Sequence, residues 1–415
     1  MYIVYPMSSS VQLSILVVST HIYQTSGYSK VSYGLLKELA KYPFLKVTHF
    51  GIQGIEGLKG ARCYPEGITV YPIDTAVEQG FGFSQLATAI ETVKPHIVFL
   101  YNDIGIVKAY MDKIVPGSCK VWVYIDQIYE TIPPSCVTVL NNSDRIFCYT
   151  QGWKALFKNA GVTKPIDLLP IGYDPTLFQI MSKSQIREIM KIPKDIFLFM
   201  NVNRNQPRKH YDLLVMAFVE LILKHPEQPL FMMCVCDNGE TGGHVLSDIF
   251  RNELVRRGVA VELFANRLVQ SSKHMTFTDE EHSLFYQVAD VGVTCTDGEG
   301  VGLCALESMG LGVPQVLPAI LGHQEFCTHE NSRLVEPTIR QYNSLTVSTA
   351  GCEVKLVDPS VFAVAMEDYV LKPEMREAHG LAAAAKAEQY TWPTVTAAFV
   401  KRLELLYQEL VLDSQ

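Results

Sequence analysis

Apolar runs of strand length alternate along the chain with segments of helical periodicity. LSILVVST (13–20), KVSYGLLKELAKY (30–42) and KVTHFGI (46–52) read as strand, helix and strand, the βαβ signature. The rhythm continues through HIVFLYN (96–102), KVWVYID (120–126) and RIFCYT (145–150). These strands are apolar almost throughout, which predicts a parallel sheet covered on both faces. The alternation restarts at IFLFMNVN (196–203), followed by the helix YDLLVMAFVELILKHP and the strand PLFMMCVC (229–236). Further strands are expected at VAVELFA (259–265), DVGVTC (290–295) and VPQVLP (313–318). Two such sets predict an α/β chain with two Rossmann-like, doubly wound domains.

The stretch DLLPIGYDPTLFQIM (167–181), punctuated by proline and glycine, marks a hinge. It divides the chain into residues 1–172 and 173–395, with a last helix, about 396–415, that can pack back on the first domain. Residues 337–356 break the rhythm and read as an irregular loop or small hairpin, and Trp392-Pro393 suits a boundary between the final helices.

Composition narrows the function classes. At 415 residues the chain exceeds one core, and 48% hydrophobic against 19% charged residues describes a well-buried, enzyme-sized protein. A net charge of -8 without a basic run argues against nucleic acid as a partner. Ten cysteines without a CxxC pair read as reduced thiols. The leader MYIVYPMSSSVQ lacks a basic n-region, and LSILVVS falls far short of a membrane span of about 20 residues. The expectation is a soluble cytoplasmic protein, whose membrane contact, if any, is peripheral.

Candidate chemistry concentrates in DGEGVGLCALESMG (297–310). Gly298, Gly300 and Gly302 permit a tight turn, and the helix that follows offers unpaired N–H groups at its positive end. Phosphate oxygens would fit the amides of Val301, Gly302 and Leu303. Glu307, tilted back toward the helix start, would accept from a diol, and Glu299 from a second polyol. A capped helix with one salt-bridged glutamate explains the same residues. The second constellation is NVNRNQPRKHYDLLVMAF (201–218), where Arg204, Arg208 and Lys209 follow a strand at its carboxyl end, the side on which parallel sheets bind ligands. These cations would balance a diphosphate, or simply form a solvated basic loop.

With these residues in view the chain resembles family 4 of the retaining glycosyltransferases, including its mannosyltransferase-like members and glycosyltransferases of large algal viruses. EGVGLCALE is similar to the family's motif of two glutamates separated by seven residues, and LESMGLGVPQVLP to its continuation. DRIFCYTQGWKALFKNAGV, LLPIGYDPTLF and NRNQPRKHYDLLVMAF resemble further family segments, so the likeness covers most of the chain. The resemblance implies a GT-B fold, two Rossmann-like domains facing across a cleft. It implies Arg204 and Lys209 as diphosphate cations, Glu299 on sugar hydroxyls, Glu307 on the ribose, and Gly27 in the loop after the first strand. Where family members often carry a histidine facing the donor sugar, this chain has Asp126, read either as a sugar contact or as a turn cap.

MTFTDEEHSLFYQVAD resembles the family's base-binding stretch, with Phe277 and Thr278 meeting the base through backbone and Asp279 where guanosine-using relatives place an aspartate. A carboxylate can accept both the ring N–H and the amino proton of guanine. Helix capping by Thr278 or Asp279, with Glu281 in the first turn, is the other explanation. The implied function is transfer of a hexose, mannose from GDP-mannose being favoured, to a glycan or other hydroxyl acceptor, with no tightly bound cofactor and no required divalent metal. A UDP-sugar donor, or a catalytically weak nucleotide-binding scaffold, is the alternative. A dehydrogenase is disfavoured because no GxGxxG follows the first strand.

Overall fold

The computed structural model describes residues 11–54, 62–178, 180–239, 242–271, 277–342 and 353–413. Two compact units divide the chain: residues 1–127, 132–172 and 392–415 form one, and residues 128–131 and 173–391 the other.

The first unit is built on seven strands: β1 (Leu13–Thr20), β2 (Leu45–Ile52), β3 (Ile68–Val70), β4 (Ile97–Asn102), β5 (Lys120–Ile125), β6 (Arg145–Cys148) and β7 (Ile166–Leu168). They pair in the order β3-β2-β1-β4-β5-β6-β7, all parallel. Every residue of β1 and β4 is buried, as a sheet covered on both faces requires. The last helix, Trp392–Asp413, belongs to this unit, where Phe399 packs against Phe99, Trp122 and Phe147.

The second unit repeats the plan with β8 (Phe197–Val202), β9 (Leu230–Val235), β10 (Leu268–Gln270), β11 (Val291–Val293), β12 (Gln315–Pro318) and β13 (Ser332–Val335). Their order is β10-β9-β8-β11-β12-β13, again parallel throughout. The fold is α/β of the GT-B class, with two Rossmann-like parallel-sheet domains. In both sheets the strand order reverses at the centre, between β1 and β4 and between β8 and β11. In parallel sheets of this kind ligands bind outside the carboxyl ends of the strands at such a reversal.

One predicted strand is corrected. VAVELFA holds a short 3-10 turn at Val261–Leu263, and the edge strand β10 forms later, at Leu268–Gln270. Val261 and Phe264 are spent on the core beneath the adjoining helix rather than on a ladder, and a short apolar run does not by itself distinguish the two outcomes. The polar break after β13 resolves into an antiparallel pair, β14 (Ile339–Tyr342) with β15 (Glu353–Leu356). Among the described residues no helix is long and apolar enough to cross a membrane.

Candidate functional site

The loops leaving β8 and β11 are neighbours because the strands pair directly. After β8, Tyr211 opens the helix Tyr211–Lys224, and its buried hydroxyl donates to the Asn203 carbonyl at 2.8 Å, folding the intervening loop back on the strand end. The segment 208–210 then lies along 296–299. Asp297 N–H donates to the Arg208 carbonyl at 2.9 Å, and Thr296 Oγ1 donates to the same oxygen at 3.1 Å. Arg208 Nη1 donates to the Gly298 carbonyl at 2.7 Å and stands 3.2 Å from Glu299 Oε2. Lys209 Nζ donates to Glu299 Oε1. Both members of that pair are buried, Lys209 at 6% and Glu299 at 8% exposure.

Burial opposes ionisation of Glu299, but the Lys209 and Arg208 charges outweigh it and hold the carboxyl down at about 2. Lys209 is pulled below the ordinary lysine range by burial and by Arg208, with Glu299 opposing. Next in line, His210 Nε2 lies 3.2 Å from Asp297 Oδ2 and its Nδ1 3.3 Å from Asp212 Oδ1. Burial works against its charge, yet the two carboxylates raise it to about 9. The result is a row of three cations, Arg208, Lys209 and His210, tied to Glu299 and Asp297 of the other loop.

Glu299 leads into the helix Leu303–Gly310, capped by Gly302 at φ +86°. Only glycine holds that left-handed conformation without strain. Among the described residues the N–H groups of Val301, Gly302 and Leu303 have no hydrogen-bond partner in the protein. Three open donors at a helix start, beside Lys209, make an anion-binding arrangement. Glu307, one turn further, is 4% exposed and accepts from the buried Tyr286 hydroxyl at 3.0 Å. A protein group therefore answers at least one of its oxygens.

Arg204 lies on the same loop and is exposed, its carbonyl accepting from Gln206 N–H at 2.9 Å. The Asp279–Val288 helix begins with a capping box: Thr278 N–H donates to Glu281 Oε2 at 2.8 Å, and Thr278 Oγ1 accepts from Glu281 N–H at 3.1 Å. Thr278 C=O accepts from His282 N–H at 3.0 Å, so both backbone groups of Thr278 are engaged within its own helix. Phe277 packs its ring edge-on against Phe285, and Asp279 is 9% exposed.

In the first unit, Gly27 opens the helix Gly27–Leu39 behind the cap Ser26, and a Cβ there would meet nothing within 4 Å. The loop before it is tied by the buried Arg62, whose Nη1 donates to the Ile22 and Gln24 carbonyls, each at 3.2 Å, and to Ser29 Oγ at 2.6 Å. Asp126, half-buried just past β5, faces Tyr28, Tyr101 and Tyr149, whose phenols are raised first by burial and then by its charge. Tyr28 also donates to Asp103 Oδ1 at 2.8 Å.

Residues 182–345 match the family described as glycosyl transferases group 1. The second unit carries this segment. Among curated proteins the chain is similar to a D-inositol 3-phosphate glycosyltransferase of Streptosporangium roseum, 24% identical over 234 residues, 56% of this chain and 48% of that protein. The chain thus spans about half the length of that relative. Among solved structures it resembles sucrose-phosphate synthase of Thermosynechococcus elongatus, with a TM-score of 0.72 at 15% identity, covering 97% of this chain and 100% of that one. It also resembles Anabaena HepE in complex with UDP-glucose, with a TM-score of 0.67 at 13% identity, covering 94% and 99%. At such identities the solved structures bear on the fold alone.

The protein partners of the two glutamates are not legible from their neighbours in the chain. Arg208 reads from the sequence as a loop cation beside Lys209, but its grip on Gly298 and Glu299 follows only from strand order. Tyr286 carries no local signal as the partner of Glu307; the one hint is that a carboxylate beside an apolar stripe needs a partner.

Proposed function

We propose that the protein is a retaining glycosyltransferase that moves a hexose from a nucleoside diphosphate sugar to a hydroxyl acceptor. One observation carries this reading: Lys209 and Arg208 meet Glu299 beside three open backbone N–H groups at the sheet's reversal point. The diphosphate would occupy the N–H groups, with Lys209, Arg208 and the exposed Arg204 drawn to it. As the bond to the sugar lengthens, negative charge grows on the leaving phosphate, where these donors stabilise it. That phosphate would take the acceptor's proton on the same face, giving retention. Glu299 would hold the sugar hydroxyls and Glu307, fixed by Tyr286, the ribose. The chain's own cations supply the charge, so the reading calls for no divalent metal.

For the donor we propose GDP-mannose, on the buried Asp279 at the head of its helix. A UDP-sugar is the second reading, favoured by two observations: Thr278 has its backbone engaged in the capping box, and the structurally similar HepE is described with UDP-glucose. Calorimetry with GDP-mannose, UDP-glucose and NAD separates the cases. GDP-mannose should bind best, and Asp279→Ala should erase most of that preference, worth roughly 1.5–3 kcal/mol or about one to two decades. Equal GDP and UDP affinity would remove Asp279 as the base reader. Tight NAD binding with no sugar nucleotide bound would overturn the transferase reading, and binding without turnover would favour the scaffold.

A further inference from the structure

His323 stands outside every role assigned above. It follows Gly322 in the connection from β12 to β13, and it is 1% exposed. Its Nδ1 lies 2.9 Å from the Pro318 carbonyl, which can only accept, so Nδ1 carries a proton and in the neutral ring Nε2 holds a lone pair. That Nε2 is buried and has no hydrogen-bond partner. Orphaned buried acceptors are rare and costly. This one is aimed at the glycine cap of the Leu303–Gly310 helix: a Cβ on Gly302 would stand 2.8 Å from Nε2 and 4.0 Å from Glu299 Cγ. Gly322 presses the same loop onto Glu299, since a Cβ there would fall 2.2 Å from the Glu299 carbonyl oxygen. The His323 ring nitrogen and the Glu299 side chain therefore flank Gly302, the middle one of the three residues with open N–H groups.

We propose that His323 takes up a proton at Nε2 when a nucleotide-sugar binds, becoming the cation that holds Glu299 once Lys209 has turned to the diphosphate. This rests on the donor reading above. Without ligand, the Lys209 ammonium serves Glu299, and burial, helped by that nearby positive charge and opposed by Glu299, makes His323 harder to protonate than a free imidazole. A diphosphate on the adjacent N–H groups brings negative charge and draws Lys209 away, and both changes favour imidazolium. The proton passes from solvent to the Nε2 lone pair while Nδ1–H stays on Pro318. Nε2–H then donates toward Glu299 and fixes its carboxylate for the sugar hydroxyls.

The surrounding groups leave His323 as the acceptor. Lys209 and Arg208 are already cations, and Glu299 is held down at about 2. His210, raised to about 9 by its carboxylates, is already protonated at neutral pH. Phe326, packed edge-on at 6.5 Å between ring centroids, does not titrate. His323 is thus a positioning residue acting through Glu299.

The test is calorimetric titration of the full chain with UDP-glucose and GDP-mannose, whose diphosphate diesters do not titrate near neutrality, in two buffers of different ionisation enthalpy. The wild-type protein should take up a proton on binding, and above neutral pH its donor affinity should fall by up to about tenfold per pH unit. His323→Gln should take up none and lose that pH dependence. Binding without uptake, or uptake unchanged in His323→Gln, would overturn the inference alone. Binding of neither sugar nucleotide would overturn the donor reading and this inference with it. Should His323→Gln fail to fold in a thermal scan, the wild-type buffer comparison decides.

Discussion

The two sheets reverse their strand order at equivalent places, yet the loops at those places are built from different chemistry. Behind β8 and β11 stand paired ions: Lys209 and Arg208 on Glu299, His210 on Asp297. Behind β1, β4 and β5 stand phenols around Asp126 and a loop tied down by Arg62 through carbonyl oxygens. Under the proposed donor reading, the charge of the ionic region would be reassigned to an incoming diphosphate, because each cation is matched to a carboxylate that also needs a partner. The phenolic region offers hydroxyl donors around two carboxylates, Asp126 and Asp103, an arrangement suited to neutral hydroxyl groups. One topology therefore supplies two kinds of site, and the side chains decide which.

The sharpest way to break the contrast is to unpair the ionic region. Lys209→Ala leaves a buried carboxylate with only the half-buried Arg208, and the loss of one partner of a buried pair should cost about 3 kcal/mol of stability. Lys209→Met combined with Glu299→Gln should recover most of it, as urea unfolding of the three proteins would show. Both changes should abolish turnover. Equal destabilisation by the single and double variants would mean that the pair is not coupled.

The next effect is alkaline. His210 is raised from 6.5 to about 9, so the folded state binds the extra proton throughout that interval. Its stabilisation is full below pH 6.5 and is lost as pH rises through 9, a change of roughly 3 kcal/mol. Unfolding of wild type and His210→Gln between pH 6 and 9.5 should show the wild-type slope and its absence in the variant. Identical slopes would place the titration elsewhere.

These ion pairs mark what could and could not be read in advance. Near-continuous apolar strands such as β1 and β4 announce a parallel sheet because their burial is a property of the strand itself. The glycine-broken turn before Leu303 announces a helix cap for the same local reason. Partners are different, because they depend on which strands become neighbours. Nothing near Glu299 in the chain points to Lys209, 90 residues earlier, and only the β8–β11 pairing brings them together. Tyr286 lies 21 residues before Glu307 and reaches it by helix packing rather than by motif. The false strand at 259–265 fails for the converse reason: a short apolar run states that it will be buried, not in which backbone.

A smaller effect compares the glycines of the two loops. Gly302 sits at φ +86°, and a Cβ there would approach His323 Nε2 at 2.8 Å. Gly302→Ala should therefore cost about 1–3 kcal/mol through backbone strain and crowding together, measured by urea unfolding. A neutral result would show that the cap relaxes into another conformation.

Gly27 is the counterpart and should respond least. Its φ lies outside the left-handed region, and a Cβ would meet nothing within 4 Å. It is also the first residue of its helix, where alanine loses less backbone freedom on folding than glycine. Gly27→Ala should thus be neutral or stabilise the fold by up to about 1 kcal/mol. Its effect on binding separates two uses of the open space. If a donor phosphate approaches this loop, the added methyl group occupies that approach, and donor KM should rise severalfold while the melting temperature holds or increases. A variant with raised stability and unchanged donor KM would show that the space at Gly27 is ordinary solvent, leaving diphosphate contact to the ionic loops of the second unit.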